Sequence, residues 1–209
     1  MMTQTTHPVI LASGSPRRRD LMAAAGIAFE VVPPTLAEPR RSTVPQPVQW
    51  AEALAYFKAR TIAEQFPGRI VLGADTLCVH EGQVLGKARD ADHAREILGQ
   101  LSGTRHAVVT GVALCGPQGK RVIASETTGV QMRTMSDAEI TAYIDSGEWI
   151  GKAGAYAIQE TADRYVDRLD GSFDNVVGLP IGLVRRMLTR MEYFPCNCED
   201  QPMMEGPTE

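Results

Sequence analysis

A chain that reads Ile70-Val71-Leu72-Gly73-Ala74-Asp75-Thr76 has to bury a strand whose apolar run ends on a carboxylate and a hydroxyl. The three apolar residues form a short buried stretch, and Gly73-Ala74 removes side-chain bulk where the polar pair begins, so a ligand can approach there. Residues 77–80 and 83–85 flank Glu81-Gly82, a turn pair. That spacing predicts a hairpin that folds Gly86-Lys87 back toward Asp75. An acid and a cation then share one mouth. The pairing suits a polyphosphate: a carboxylate holds a divalent metal or takes a proton from water, and an ammonium offsets phosphoryl charge. An Asp ending a buried strand also serves as an ordinary turn or cap residue, so this stretch alone leaves both readings open.

A second feature tips the balance. Residues 9–12 read as a strand, Ser13-Gly14-Ser15 as a small-residue loop, and Pro16 as the first residue of a helix running to about Ala25, with Ser15 as N-cap and Gly26 as stop. Strand, small loop and helix start present backbone N–H groups and a positive dipole end to an anion. Arg17, Arg18 and Arg19 crowd the first turn, where cations are unfavourable unless something negative sits opposite. Ser13, Ser15, Arg17 and Arg18 are therefore candidate phosphate contacts, with Arg19 a bystander. No G-x-x-x-x-G-K-[ST] sequence is present, which argues against a P-loop kinase or ATPase.

The anion site must be local, because the formal net charge of the 209 residues is -4. Proteins that grip long nucleic acid by charge carry a basic surplus instead. With 44% hydrophobic residues the chain can bury one proper core, expected over residues 9–194 as a single domain of two lobes. Residues 1–8 are expected to be a flexible start and residues 195–209 a flexible acidic tail. Residues 1–8 show no basic residue followed by a long apolar core, and no window reaches the roughly eighteen apolar residues of a membrane span, so a cytoplasmic protein is the default expectation. Cys78, Cys115, Cys196 and Cys198 are too few and irregular for a disulfide framework, and Cys196-Asn197-Cys198 lacks a second ligand pair for zinc.

The remaining elements follow in order. Residues 29–32 read as a strand and the proline-rich residues 33–47, which include Glu38, as a loop. A helix is expected over residues 48–65, with Ala51, Leu54, Ala55 and Ile62 inward and Lys58 on another face, by itself an ordinary surface lysine. Residues 90–101 read as a helix that Asp90 either caps or leaves to help hold a metal. Residues 104–114 and 121–133 form an expected antiparallel pair added to the sheet. Ser136 and Glu139 make a capping box. Lys152 to Gln159 combine a cation, small residues and an amide able to read a base edge, with a core strand as the alternative. Residues 165–169 and 173–177 read as strands around an Asp170-Gly171-Ser172 turn, and a last helix runs from Pro180 to about Met191.

Five segments taken together, L-A-S-G-S-P-R-R (Leu11 to Arg18), L-G-A-D-T (Leu72 to Thr76), L-G-K with Asp90 after it, K-A-G-A-Y-x-I-Q (Lys152 to Gln159) and N-V-V-G-L-P (Asn175 to Pro180), resemble the Maf family of nucleoside triphosphate pyrophosphatases. The resemblance implies an α/β fold, a two-lobed mixed sheet with flanking helices and a deep central cleft, similar to the inosine triphosphatase class. It implies metal-dependent hydrolysis of a nucleotide to its monophosphate and pyrophosphate, with Asp75 as catalytic acid. Arg17, Thr76 and Gln159 match determinants of base choice. Ser13, Arg18, Glu38, Lys58, Lys87 and Asp90 match other cleft residues. The expected site therefore has Ser13, Ser15, Arg18, Lys58, Lys87 and Lys152 on the phosphates, and Glu38, Asp75 and Asp90 around Mg²⁺ or Mn²⁺. A-D-T with the I-Q ending resembles the branch acting on dTTP and UTP. Rival readings are a 7-methyl-GTP or other modified-nucleotide pyrophosphatase and a non-catalytic regulator of cell division. A homodimer is an open expectation.

Overall fold

The computed structural model describes residues 7–35 and 46–193. Glu38, Cys196, Cys198 and the expected tail lie outside the described residues. In chain order the elements are β1 (Val9–Leu11), α1 (Pro16–Ala24), β2 (Phe29–Val31), α2 (Pro47–Ala63), β3 (Val71–His80), β4 (Gln83–Leu85), α3 (Ala91–Leu101), β5 (Arg105–Cys115), β6 (Arg121–Met132), α4 (Asp137–Asp145), β7 (Val166–Asp170), α5 (Phe173–Val177) and α6 (Ile181–Arg190). Among the described residues the sheet has seven strands, in the order β2-β1-β3-β5-β6-β7 with β4 attached to the far end of β3. Pairings of β1 with β2 and with β3 are parallel, and the rest are antiparallel. Among the described residues no helix is long and apolar enough to cross a membrane.

Local signals fix several elements where the sequence places them. Glu81 and Gly82 both take positive φ, 48° and 77°, the pair of left-handed residues a tight hairpin needs between β3 and β4. Asp90 caps α3 by accepting from the His93 amide at 2.8 Å, and Ala94, Ile97, Leu98 and Leu101 are buried beneath it. Ser136 and Glu139 close the capping box of α4.

Long-range packing decides the rest, and it sets the cleft. Helix α2 covers one face of the sheet, and its Ala51, Ala55 and Ala59 are fully buried. A methyl group added to Gly73 of β3 or to Gly111 of β5 would collide with the α2 backbone at Ala55 or Ala51. Backbone touches backbone there, so any residue on the sheet-facing side of α2 is carried into the protein. Lys58 is one of these, 8% exposed rather than on a free face.

The opposite face of the sheet carries two apolar cores. At one end Leu72, Ala74, Val112 and Leu114 pack with β1, α1 and α6. At the other Cys78 and Val108 pack with α3 and α4. Between them a rung of hydroxyls interrupts both strands, Thr76 on β3 beside its register partner Thr110 on β5. Strand alternation places the two threonines on this face and Asp75 on the α2 face.

One element differs in type from its expectation. Residues 173–177 form the short helix α5, not a strand, capped by Ser172, whose side chain accepts from the Asn175 amide. Strands β5 and β6 form the expected antiparallel pair, joined to the sheet through β5, which lies between β3 and β6.

Candidate active site

Strand β3 has two different neighbours along one edge. Strand β1 pairs with it at Val71 and Leu72, and β4 pairs with it from Cys78 onward. From Gly73 to Leu77 that edge faces no strand among the described residues, because β1 has already turned away at Ser13. The sheet forks there, and the fork is the floor of a cleft of about 700 Å³. Asp75 and Thr76 stand in the gap, one on each face of the strand.

Asp75 is 9% exposed, and its Oδ1 accepts from Lys58 Nζ at 2.5 Å. Removing the lysine would leave the Asp75 charge without this cation in a poorly hydrated place. On the other face Arg18 acts as a clamp. Its Nε donates to the Gly178 carbonyl at 2.8 Å, its Nη1 to Ser13 Oγ at 3.2 Å and its Nη2 to Thr76 Oγ1 at 3.1 Å. Gly178 permits this approach with φ 126°, and a Cβ there would crowd Thr76 Oγ1 at 3.4 Å. Helix α1 opens on the same cleft without a side-chain cap, so Ser15 occupies the N-cap position and leaves the helix start available to an anion.

Ser13, Ser15, Arg17, Arg18, Lys58, Asp75, Thr76, Lys87, Lys152 and Gln159 all line this one cleft. Arg17 is half-buried; burial lowers its pKa from the ordinary arginine value, against the raising influence of Glu160 and Tyr143. Lys152 Nζ lies 3.6 Å from Glu160 Oε1, so part of its charge is already balanced. Asp90 does not line the cleft and is engaged as the cap of α3. Glu38 lies outside the described residues.

The segment from Lys152 to Gln159 is irregular rather than a strand, apart from an isolated bridge between Ala153 and Lys87. Two tyrosines hang it in place: Tyr143 Oη accepts from the Ala157 amide at 3.0 Å, and Tyr156 Oη meets His106 Nε2 at 2.8 Å. Tyr156, Cys78 and the Gly178 carbonyl belong to the site and are given no role by the sequence; Tyr156 and Gly178 carry a signal through the K-A-G-A-Y-x-I-Q and N-V-V-G-L-P segments, and Cys78 carries none.

The His106 ring is 3% exposed, and burial, then the nearby His80, pull its pKa down to about 4. An unfolded imidazole titrates near 6.5, so between these values the unfolded chain binds the extra proton. The stability that results is complete above about pH 6.5 and is lost as pH falls toward about 4, an effect of at most about 3 kcal/mol. Urea unfolding of the wild type at about pH 7 and about pH 4.5 is expected to show a larger loss of midpoint than His106→Phe shows, because the variant lacks this proton-binding difference.

The chain matches the family model described as "Maf-like protein" over residues 8–191. A protein of Koribacter versatilis named dTTP/UTP pyrophosphatase is 44% identical over 87% of this chain and 93% of its own length. A protein of Syntrophotalea carbinolica with the same name is 42% identical over 93% of this chain and 90% of that one. Among solved structures, a nucleoside-triphosphatase / dITP/XTP pyrophosphatase from Mycobacterium abscessus aligns with a TM-score of 0.41 and 21% identity, covering 62% of this chain and 76% of that chain.

Proposed function

The chain belongs to the Maf family, and from that premise we propose that it hydrolyses dTTP and UTP to the nucleoside monophosphate and pyrophosphate. The observation that carries the reading is the Asp75–Lys58 pair at the sheet fork, facing the start of α1 with Arg17 and Arg18 across one cleft. A binding protein gains from a carboxylate aimed at a polyanion only where a metal bridges the two, whereas a hydrolase needs a group to orient and deprotonate water with or without one. Asp75 has that role. Lys58 fixes the carboxylate through Oδ1 and leaves Oδ2 for water. Arg17, Arg18, Lys87 and Lys152, with the α1 amides, take the phosphates, so positioning and electrostatics supply most of the rate. Gln159, Thr76 and Arg17 face the nucleoside.

Among the described residues no three or more His, Cys, Asp and Glu side chains converge as a metal cage. The donors present fit Mg²⁺ or Mn²⁺ held chiefly by substrate phosphates with one or two carboxylates. Asp75 is the described donor, Glu38 a candidate second, and Asp90 is left out because it caps α3. When bound, the cation would neutralise phosphate charge.

The test is pyrophosphate release across dTTP, UTP, the other common triphosphates and 7-methyl-GTP. The expected result is a kcat/KM for dTTP and UTP at least about tenfold above the rest, with activity lost on chelation and restored by Mg²⁺. A preference for 7-methyl-GTP would reassign the substrate, and nucleotide binding with no turnover would make the protein a regulator.

A further inference from the structure

The hydroxyl rung between the two cores has a direction, and it bears on base choice. Thr110 is fully buried, lies behind Thr76 and does not line the cleft. Its Oγ1 donates to the Asn175 carbonyl at 3.1 Å and lies 3.0 Å from Thr76 Oγ1. The Gly178 and Leu179 amides at the end of α5 both go to the Asp174 carbonyl, which leaves the buried Asn175 carbonyl to Thr110. Asn175 is itself locked, its side-chain amide donating to the Val108 carbonyl and to Thr128 Oγ1, each at 3.0 Å.

A hydroxyl carries one hydrogen. Thr110 spends its own on Asn175, so between the two threonines Thr76 must donate. The Gly178 carbonyl, which also accepts from Arg18 Nε at 2.8 Å, is a second acceptor for Thr76 but a long one at 3.4 Å against 3.0 Å to Thr110. Arg18 Nη2, meanwhile, donates to Thr76. The chain of bonds runs one way, Arg18 to Thr76 to Thr110 to the Asn175 carbonyl, and what Thr76 has left for the cleft is a lone pair. Ser13 is the converse: its Oγ accepts from the Ser15 amide and from Arg18 Nη1, both at 3.2 Å, which leaves its hydrogen for an anion. One guanidinium therefore holds a hydroxyl that gives and a hydroxyl that takes.

We propose that Thr110 is a positioning residue for specificity: it makes Thr76 an acceptor toward the substrate, and Thr76 thereby selects a base that presents a ring N–H. Uracil and thymine carry hydrogen on N3. Cytosine carries a lone pair there, which meets the Thr76 lone pair without a shared proton. The inference rests on the pyrimidine triphosphate reading and adds a residue outside the cleft to it.

The experiment measures kcat/KM for UTP, CTP, dTTP and dCTP in the wild type, Thr110→Val and Thr110→Ser, with a melting curve for each. Valine keeps the shape but removes the short acceptor of the Thr76 hydrogen and frees it for the cleft, so the UTP:CTP and dTTP:dCTP ratios are expected to fall at least about tenfold. Serine keeps the hydroxyl, and the ratios are expected to stay near the wild-type values. Ratios unchanged within about twofold in a folded Thr110→Val, an equal loss for all four substrates, or the same relaxation in Thr110→Ser would each overturn the inference. Besides N3–H, the donor that dTTP offers is its 3′-hydroxyl, so 3′-deoxythymidine triphosphate is included: a valine variant that relaxes only the dTTP preference over this analogue assigns the Thr76 lone pair to the sugar and overturns the base assignment. A wild type that hydrolyses neither UTP nor dTTP defeats the pyrophosphatase reading and this inference with it, whereas a pyrimidine-selective wild type with an insensitive Thr110 defeats this inference alone.

Discussion

Asp75→Asn is expected to lower kcat for dTTP by at least about a hundredfold while the protein still folds. Asparagine keeps the shape of the carboxylate and offers an oxygen to Lys58 Nζ, which sits 2.5 Å away in the wild type. It cannot take a proton from water. The separation of effects matters, because Asp75→Ala would leave the 8%-exposed Lys58 ammonium stripped of this carboxylate and mix a folding defect with the chemical one. Circular dichroism and a melting curve establish the fold, and steady-state rates establish the loss. Turnover of Asp75→Asn near the wild-type value would remove Asp75 from proton transfer.

A single methyl group at Gly73 is expected to do comparable damage from outside the chemistry. A Cβ built there meets the Ala59 amide at 2.6 Å and the Ala55 carbonyl closer still, both of them backbone atoms that cannot rotate away. Helix α2 must move outward, and overpacking of this kind costs about 1–3 kcal/mol. The same movement withdraws Lys58 from Asp75, so kcat is expected to fall at least about tenfold in the fraction that folds. Gly99→Ala supplies the contrast. Nothing lies within 4 Å of a Cβ at that position in α3, and a helix-interior alanine is expected to stabilise by up to about 1 kcal/mol with activity intact. Urea midpoints and kcat for both variants check the pair. A Gly73→Ala protein as stable and active as the wild type would mean that the close seat of α2 does not set the site.

These two positions also mark what the sequence could and could not reveal. Features fixed within a few residues were legible: the hairpin at Glu81-Gly82, the buried face of α3 and the capping box at Ser136 each have a local cause. The cleft residues were legible as scattered segments, because a small loop, a helix start and a carboxylate after a buried apolar run each carry their chemistry in their residue types. Burial of Lys58 was not, since it depends on Ala51, Ala55 and Ala59 meeting Gly73 and Gly111 across a great separation in sequence. Residues 173–177 read as a strand because Phe173, Val176 and Val177 are strand-like; Ser172 capping and the docking of Asn175 between β5 and β6 overrode that preference. Asp90 offered two roles from sequence, and the structure uses it as a cap. Thr110 carried no signal, because a threonine inside a β-branched strand looks like any other until its partner across the rung is known.

Asp75 as the base at the sheet fork is checked at its sharpest by the product inventory of dTTP hydrolysis. The wild type is expected to release dTMP and pyrophosphate in equal amounts, with neither dTDP nor orthophosphate formed, and Asp75→Asn to make almost none of either product. Release of dTDP and orthophosphate would put the attack at the wrong phosphorus, and equal product yields from the wild type and a folded Asp75→Asn would leave the carboxylate with no part in it.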